Sequence, residues 1–342
     1  MLTPPGPPSP GEPPIDRFSP SPAQLDRAAG VLVGQACGDA LGVPYEFAAA
    51  PLGEPEMIGG GLGPYAPGEW SDDTQMAVCI ARVAATGADL TSDSAQDEIA
   101  IAFEQWLTGG ATDVGVQTGT LLRQVRDLPG RRGELLRAAS RTLHRTTGRS
   151  AGNGALMRTA IVGLTRITDP KATAAAARAV AELTHFDPLG GDSCVLWSEW
   201  VRRAVLDGWT GDSLPELALE LVPAERRDQW RAWITEAVED PRPDRFENNG
   251  YTVTALQAAL AAVVIGLRQH DSPDLAVRAG LIAAVRAGHD TDTVAAIAGG
   301  ALGALFGRSA IPTDWQTKVH GWPGMGADDL AGLCVDTLTA GS

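Results

Sequence analysis

Strand signals are scarce in this chain. No segment alternates apolar and polar residues with β-branched enrichment, and aromatics make up only 5% of the 342 residues. That combination speaks against a sandwich or barrel built on an aromatic core. Cysteines are few and scattered: Cys37, Cys79, Cys194 and Cys334 form neither a C-x-x-C pair nor a zinc-ribbon spacing, which points to reduced thiols and a cytoplasmic protein. Basic residues are outnumbered, 27 Lys and Arg against 42 Asp and Glu, for a formal charge of −15 and a pI near 4.7. We expect no basic stripe, and therefore no general electrostatic binding to nucleic acid or anionic lipid. The longest apolar runs, near 258–267 and 294–307, fall short of the ~20 residues that span a bilayer. Residues 1–22 hold nine of the 24 prolines without the cationic start and apolar stretch of a secretory signal. They read as a flexible Pro-rich tail ahead of a domain over 23–342.

What the chain has in quantity is Ala and Gly in helical patterns. Leu25, Ala28, Ala29, Leu32, Val33, Ala36 and Cys37 recur at helical spacing, which predicts a first helix from Ala23. Residues 43–68, rich in Gly and Pro and without a period, predict a long loop of the kind that carries function. Helices are expected over 71–87, from 96 to Gly109, and over 115–125, 156–165, 172–183, 191–207, 214–221, 224–238, 252–267, 273–287 and 293–306. Residues 239–250 read as a polar loop, but the apolar helices beyond it need partners from before it. The expectation is a single all-α, multi-helix domain.

Two acidic motifs stand at the starts of predicted helices. In "EWSDDTQM", Ser71, Asp72 and Asp73 are consecutive hard oxygen donors of the kind Mg²⁺ or Mn²⁺ prefers. Standing alone, such a triplet is more simply read as a helix cap. In "GHDTDTVAAIAGGALGALFG", residues 288–307, Asp290 and Asp292 would point the same way on an extended approach, with Thr293 adding a hydroxyl at the helix start. A cap needs one oxygen. If the two helix starts converge, they bring four carboxylates and two hydroxyls together, a set that repels itself unless cations are present. Between them, "RSAGNGALMR" at 149–158 supplies glycines that let a backbone approach phosphate.

In their order, "GQACGDALGVPYEF", "WSDDTQM", "SAGNGALMR", "LTH" and the D-T-D-T segment resemble the ADP-ribosylglycohydrolase family, from about residue 24 to 308. The resemblance implies an all-α fold with two Mg²⁺ or Mn²⁺ ions, and cleavage of the bond between ADP-ribose and an acceptor. It implies that Ser71, Asp72 and Asp73 ligate one metal and Asp290 and Thr293 the other, with Asp292 bridging. Glu46, Asp73 and Asp292 would be the catalytic carboxylates. Ser150, Gly152, Asn153, Gly154 and His185 would hold the diphosphate and distal ribose. The partner would be an ADP-ribosylated macromolecule, carrying arginine, serine or a nucleobase as acceptor, or an ADP-ribose-containing small molecule.

The chain departs from the family where Ala151 replaces an aromatic of some members and where His289 stands in place of a second glycine. Asp39 reads as structural, Arg158 as a partner for a buried acidic ligand, and Trp70, Trp197 and Trp200 as packing. A catalytically silent ADP-ribose-binding module and a crystallin-like structural role are the rival readings. A Ser–His–Asp hydrolase built on Ser150 and His185 lacks the supporting strand–turn–helix pattern.

Overall fold

Ser21 starts the first helix with a capping box: its Oγ accepts from the Gln24 amide at 3.3 Å, and Gln24 Oε1 accepts from the Ser21 amide at 2.9 Å. Pro22 occupies the first helical position, where a missing N–H costs nothing. The structure, a computed structural model, describes residues 18–49, 51, 53–208, 218–269 and 272–341. Most of the Pro-rich segment, and the first half of the helix expected over 214–221, lie outside the described residues.

The described elements are α1 (Pro22–Gly42), α2 (Asp72–Ala84), α3 (Asp93–Gly109), α4 (Val116–Val125), α5 (Arg132–Thr147), α6 (Pro170–Glu182), α7 (Pro188–Asp207), α8 (Ala224–Glu239), α9 (Thr252–Gln269), α10 (Pro273–Val285), α11 (Thr291–Phe306), the short α12 (Thr313–Gln316) and α13 (Ala327–Ala340). The strands among them are the paired β1 (His320–Gly321) and β2 (Met325–Gly326). The protein is all-α.

At its centre, α1 and α11 run antiparallel in backbone contact. A Cβ on Gly34 would lie 2.3 Å from the Gly299 carbonyl oxygen, and one on Gly303 would lie 1.9 Å from that of Gly30. The ladder continues through Gly38 against Ala295 and Gly42 against Asp292. Four-residue spacing keeps these positions on one face of each helix. This packing sets the end of α1 against the start of α11. Helices α9, α10, α7 and α13 close around the pair.

Two expected features differ. The helix anticipated over 156–165 is a pair of 3₁₀ turns, Asn153–Arg158 and Ala160–Leu164. Thr159 at their junction bonds back to the Ala155 carbonyl, and Gly163 is pressed against the Ser198 carbonyl, so neither turn extends into a regular helix. Helices α5, α13 and the short α12 were not anticipated. The buried strip of α5 is only Gly133, Leu136, Ala139 and Ser140, so its polar majority masks the helical period.

The tryptophans fall into packing roles. Trp197 and Trp200 are buried with ring centroids 5.3 Å apart. Trp70 donates its indole N–H to the Trp322 carbonyl at 3.2 Å, and its backbone N–H to the His320 carbonyl at 3.1 Å. The hairpin thereby braces the residue just before Ser71. All four cysteines are free and buried, and burial pushes the Cys194 thiol up to about 11 and Cys79 to about 12. Neither is primed as a nucleophile. Among the described residues, no helix is long and apolar enough to cross a membrane.

Candidate active site

The start of α2 is capped from another helix. Asp39, on α1 and 0% exposed, accepts from the Ser71 amide at 2.8 Å, the Thr74 amide at 3.0 Å and the Thr74 hydroxyl at 2.6 Å. Ser71 makes no side-chain cap of its own. With the helix end satisfied by Asp39, Ser71 and Asp73 are left to face the junction with α11. Ser71 Oγ donates to Asp73 Oδ2 at 3.1 Å, and Thr293 Oγ1 donates to Asp73 Oδ1 at 3.0 Å. The two acidic motifs, 220 positions apart, therefore meet.

The backbone at the second motif is not the extended approach expected. Asp290 is the N-cap of α11 (φ −85°, ψ 73°), the helix begins at Thr291, and Asp292 lies in its first turn. Both carboxylates still face the same space, because the cap and first-turn side chains of a helix gather around its free N–H groups. Two clusters result, each with one oxygen per residue inside 4.8 Å: Asp39, Asp73 and Asp292, and Glu46, Asp290 and Asp292. Asp292 belongs to both. Asp72 stands outside both clusters on the wall of the adjoining cleft.

That cleft has a volume of about 350 Å³. Glu46, Asp72, Asp113, Asp290, Asp292 and Thr293 line one part of it, and Gly152, Asn153, Gly154 and His185 another. Phe47, 63% exposed, and Val116, 86% exposed, form an apolar rim with Leu62. No Arg or Lys is among the described lining residues.

Crowded carboxylates in a dry site hold their protons. Burial, followed by the neighbouring aspartates, lifts Asp73 and Asp292 well above the usual carboxylate range. Burial and then Asp290 push Glu46 up to about 8, while burial and then Asp113 push Asp72 up to about 8. Asp39 reaches about 6 through burial, opposed by its hydrogen bonds from Thr74 and Ser71.

The glycine loop meets this cluster through Asn153, whose amide donates to Asp290 Oδ2 at 2.7 Å and to the Asn249 carbonyl at 2.9 Å. The Asn153 side chain is thus committed to a carboxylate. Ser150 is buried away from the cleft lining, its hydroxyl 2.9 Å from His144 Nδ1. Asp187 approaches that same nitrogen at 3.5 Å, so Ser150, His144 and Asp187 do not form the relay of a hydrolytic triad, and His185 is not joined to Ser150. His185 lies under the glycines: a Cβ on Gly154 would be 3.1 Å from its Cε1 and one on Gly152 3.3 Å from its Nε2. Its Nδ1 is 2.8 Å from the Thr184 hydroxyl, and burial, then Arg158, hold it neutral with a pKa near 3.

Arg158 does not pair with an acidic ligand as anticipated. It donates to Thr184 Oγ1 at 2.7 Å, contacts Met76 Sδ at 3.5 Å and stacks 4.6 Å from the Phe103 ring centroid. An aromatic face and a hydroxyl replace the carboxylate partner.

Two positioning residues were not singled out in advance. Asn249 donates to the Gly288 carbonyl at 2.9 Å and accepts from the Asp290 amide at 3.1 Å, fixing the turn before α11. Its signal was only an "NNG" in a polar loop. Asp113 came from a short Gly-flanked loop with no motif around it. His289, whose role was open, is exposed with φ 59°, and its carbonyl accepts from the Phe47 amide at 2.6 Å. A left-handed position suits glycine and tolerates His, and this contact ties the Glu46 loop to Asp290.

The chain matches the ADP-ribosylglycohydrolase family over residues 20–341. It belongs to that family. The chain is 28% identical over 312 residues to "ADP-ribosylarginine hydrolase Tri1" of Serratia proteamaculans, covering 88% of this chain and 77% of that one. It is 30% identical over 302 residues to the Tri1 of Pseudomonas putida, covering 86% and 74%. It is 29% identical over 305 residues to "ADP-ribosyl-[dinitrogen reductase] glycohydrolase" of Rhodospirillum rubrum, covering 87% and 92%. Among solved structures, an "ADP-ribosylglycohydrolase-related protein complex" superposes with a TM-score of 0.68 at 24% identity, over 94% of this chain and 99% of that one. That likeness is one of fold.

Proposed function

We propose that this glycohydrolase is a metal-dependent enzyme that releases ADP-ribose from modified arginine side chains. The observation that carries the reading is a cleft lined by at least five carboxylates with no Lys or Arg among its described residues. Buried carboxylates that are not offset by the protein's own cations call for cations from outside.

The donor set suits a divalent ion. The two clusters offer hard oxygens within 4.8 Å and share Asp292. Asp73 and Asp292, with the Ser71 and Thr293 hydroxyls, would hold one Mg²⁺ or Mn²⁺, and Asp290, Glu46 and Asp292 the other. Asp39 is left to its capping role, because three donors already occupy its oxygens. Bound ions would supply positive charge that holds the ribose hydroxyls and makes the attacking water easier to deprotonate.

The residues divide the remaining work. The Gly152 and Gly154 backbone, with His185 beneath it, forms a surface open to diphosphate, the neutral imidazole offering a donor without adding charge. Asp113 and Asp72 line the cleft, and once bound cations draw the proton from Asp72 the pair would match a guanidinium acceptor. Hydrolysis places the oxygen of one water on the anomeric carbon and one of its protons on the leaving nitrogen. Glu46, half-buried on the cleft wall while Asp290 and Asp292 of its cluster are buried, is placed to pass that proton. Asp292, on the cleft wall, would stabilise the oxocarbenium-like charge at the anomeric carbon, with Asp73 behind it in the cluster.

The test is release of ADP-ribose from ADP-ribosylarginine, ADP-ribosylserine, an ADP-ribosylated nucleobase and O-acetyl-ADP-ribose, each with Mg²⁺, Mn²⁺ or EDTA. Cleavage of the arginine conjugate that EDTA abolishes is the expected result. Turnover indifferent to EDTA would refute the metal role, and preference for another conjugate would refute the arginine assignment.

A further inference from the structure

Residues 123–149 carry eight arginines and two acidic residues, a net charge of +6 within a chain of net −15. The expectation of no basic stripe is therefore wrong. Arg137, Arg141 and Arg145 are spaced four apart along α5, and Arg149 follows the left-handed cap at Gly148. Four-residue spacing puts side chains of a helix on one face.

Some of this charge is answered within the fold. Arg131 pairs with Asp97 at 2.9 Å and with Asp93, Arg132 pairs with Glu104, and Arg137 approaches Glu182 at 3.9 Å. Arg141, Arg145 and Arg149 are exposed and make no ion pair among the described residues. Arg141 instead stacks 4.8 Å from the Phe186 ring centroid, which orders its guanidinium at the surface. Beside the stripe, between α3 and α5, runs a groove of about 430 Å³ where Arg131, Arg137 and Arg141 outnumber Asp93 and Glu134, and Asp93 is already paired with Arg131.

A solvated helix face explains scattered charges, but it does not explain like charges at i, i+4, which weaken an isolated helix by about 0.2–0.5 kcal/mol per pair. The helix dipole favours Arg145 near the C-terminus, but not Arg137 or Arg141 further in. Location supplies the functional link. Gly152 lies three residues after Arg149, so their Cα atoms are at most about 11 Å apart. The stripe therefore ends beside the cleft.

We propose that the arginine stripe of α5 is a docking surface for acidic protein segments that flank the ADP-ribosylated side chain. The proposal rests on the hydrolase reading and adds the class of macromolecular substrate. A strongly negative enzyme repels an acidic target everywhere except at such a patch, so the patch both attracts and orients the target. Arginine pairs with carboxylates bidentately, which gives the contact direction as well as strength.

The test uses two peptides of equal length, each with one ADP-ribosylarginine, flanked by glutamates in one and by serines in the other. The wild type should show a KM about tenfold lower for the glutamate peptide at equal kcat, with the gap closing as salt is added. In Arg141→Gln/Arg145→Gln/Arg149→Gln the gap should vanish, while free ADP-ribosylarginine is hydrolysed as by the wild type. Equal KM values in the wild type, or a preference that survives in the variant, overturn the proposal. If neither peptide is cleaved, it is the hydrolase reading that fails. Docking is then read from fluorescence anisotropy of the unmodified glutamate peptide, where binding by the wild type and not the variant sustains it and no binding overturns it. A single-stranded oligonucleotide of matched charge that binds more tightly than the peptide also overturns it, in favour of nucleic acid.

Discussion

Asp192 and Asp292 are both buried aspartates, and their surroundings differ in kind. Asp192 receives Arg178 at 2.6 Å, Arg226 at 2.5 Å and the Trp230 indole N–H at 3.2 Å. The charge is neutralised by the protein, and the group joins α6, α7 and α8. Asp292 accepts from the Thr293 amide at 2.9 Å and otherwise faces other carboxylates, and its pKa rises well above the usual range through burial and through Asp73, Glu46 and Asp290. A carboxylate with its own arginines is architecture, whereas a carboxylate among carboxylates is a receptor for something the chain does not supply.

The sharpest way to break this contrast is to neutralise each aspartate. Asp292→Asn should cut turnover by about a thousandfold or more and abolish Mn²⁺ binding by calorimetry, since it removes the oxygen shared by both clusters. Its metal-free unfolding midpoint should hold or rise, because a carboxyl that must be kept protonated in the fold has gone. A marked fall in metal-free stability with Mn²⁺ affinity intact would place Asp292 with Asp192. Asp192→Asn should do the reverse, costing about 2–3 kcal/mol in urea unfolding with Mn²⁺ affinity unchanged. That figure is discounted from a fully buried pair because Arg178 and Arg226 remain 28% and 26% exposed.

The rigidity of the cluster comes from the α1–α11 ladder, and Gly303 tests it from a distance. A Cβ there would meet the Gly30 carbonyl oxygen at 1.9 Å. Gly303→Leu should destabilise the fold by about 3 kcal/mol or more. The milder Gly303→Ala, if it folds, should weaken Mn²⁺ binding without touching a ligand. Normal affinity in a folded Gly303→Ala would show that the site does not depend on helix spacing.

Titration provides a gentler probe. Asp39 and Glu46 are raised to about 6 and about 8, above their unfolded values near 4. Their contribution to metal-free stability is full below about pH 4 and is lost as pH rises through about 6 and 8. Cations need the ionised carboxylates, so the melting-temperature gain from Mn²⁺ should grow over the same range. A gain independent of pH would separate the cluster from metal binding. The smallest effect belongs to His185, depressed to about 3 from about 6.5 by burial and Arg158. Its contribution to stability is full above about pH 6.5 and declines as pH falls toward 3. His185→Gln should therefore flatten the acid limb of the stability profile, measured by urea unfolding at a series of pH values.

Much of the site was legible because its chemistry is local in sequence. "WSDDT" and "HDTDT" announce their oxygens, and capping alone does not account for both. Less legible were the residues whose importance is a matter of where they end up. Asn249 orders Asp290 from a loop 41 positions away, and Asp39 caps a helix 32 positions away. Nothing in their neighbours reveals those partners. Helix α5 escaped because its arginines obscure a four-residue buried strip, and the docking stripe went unseen with it.

Periodicity, glycine spacing and two acidic motifs were enough to determine an all-α chain with helix starts rich in oxygen donors, because these are short-range properties of a backbone that repeats every 3.6 residues. Only the tertiary structure decided that the two starts meet, that Asp39 relieves Ser71 of capping, and that Asn153 faces a carboxylate. Those outcomes depend on α1 and α11 approaching to backbone contact, a distance set by glycines more than 250 residues apart.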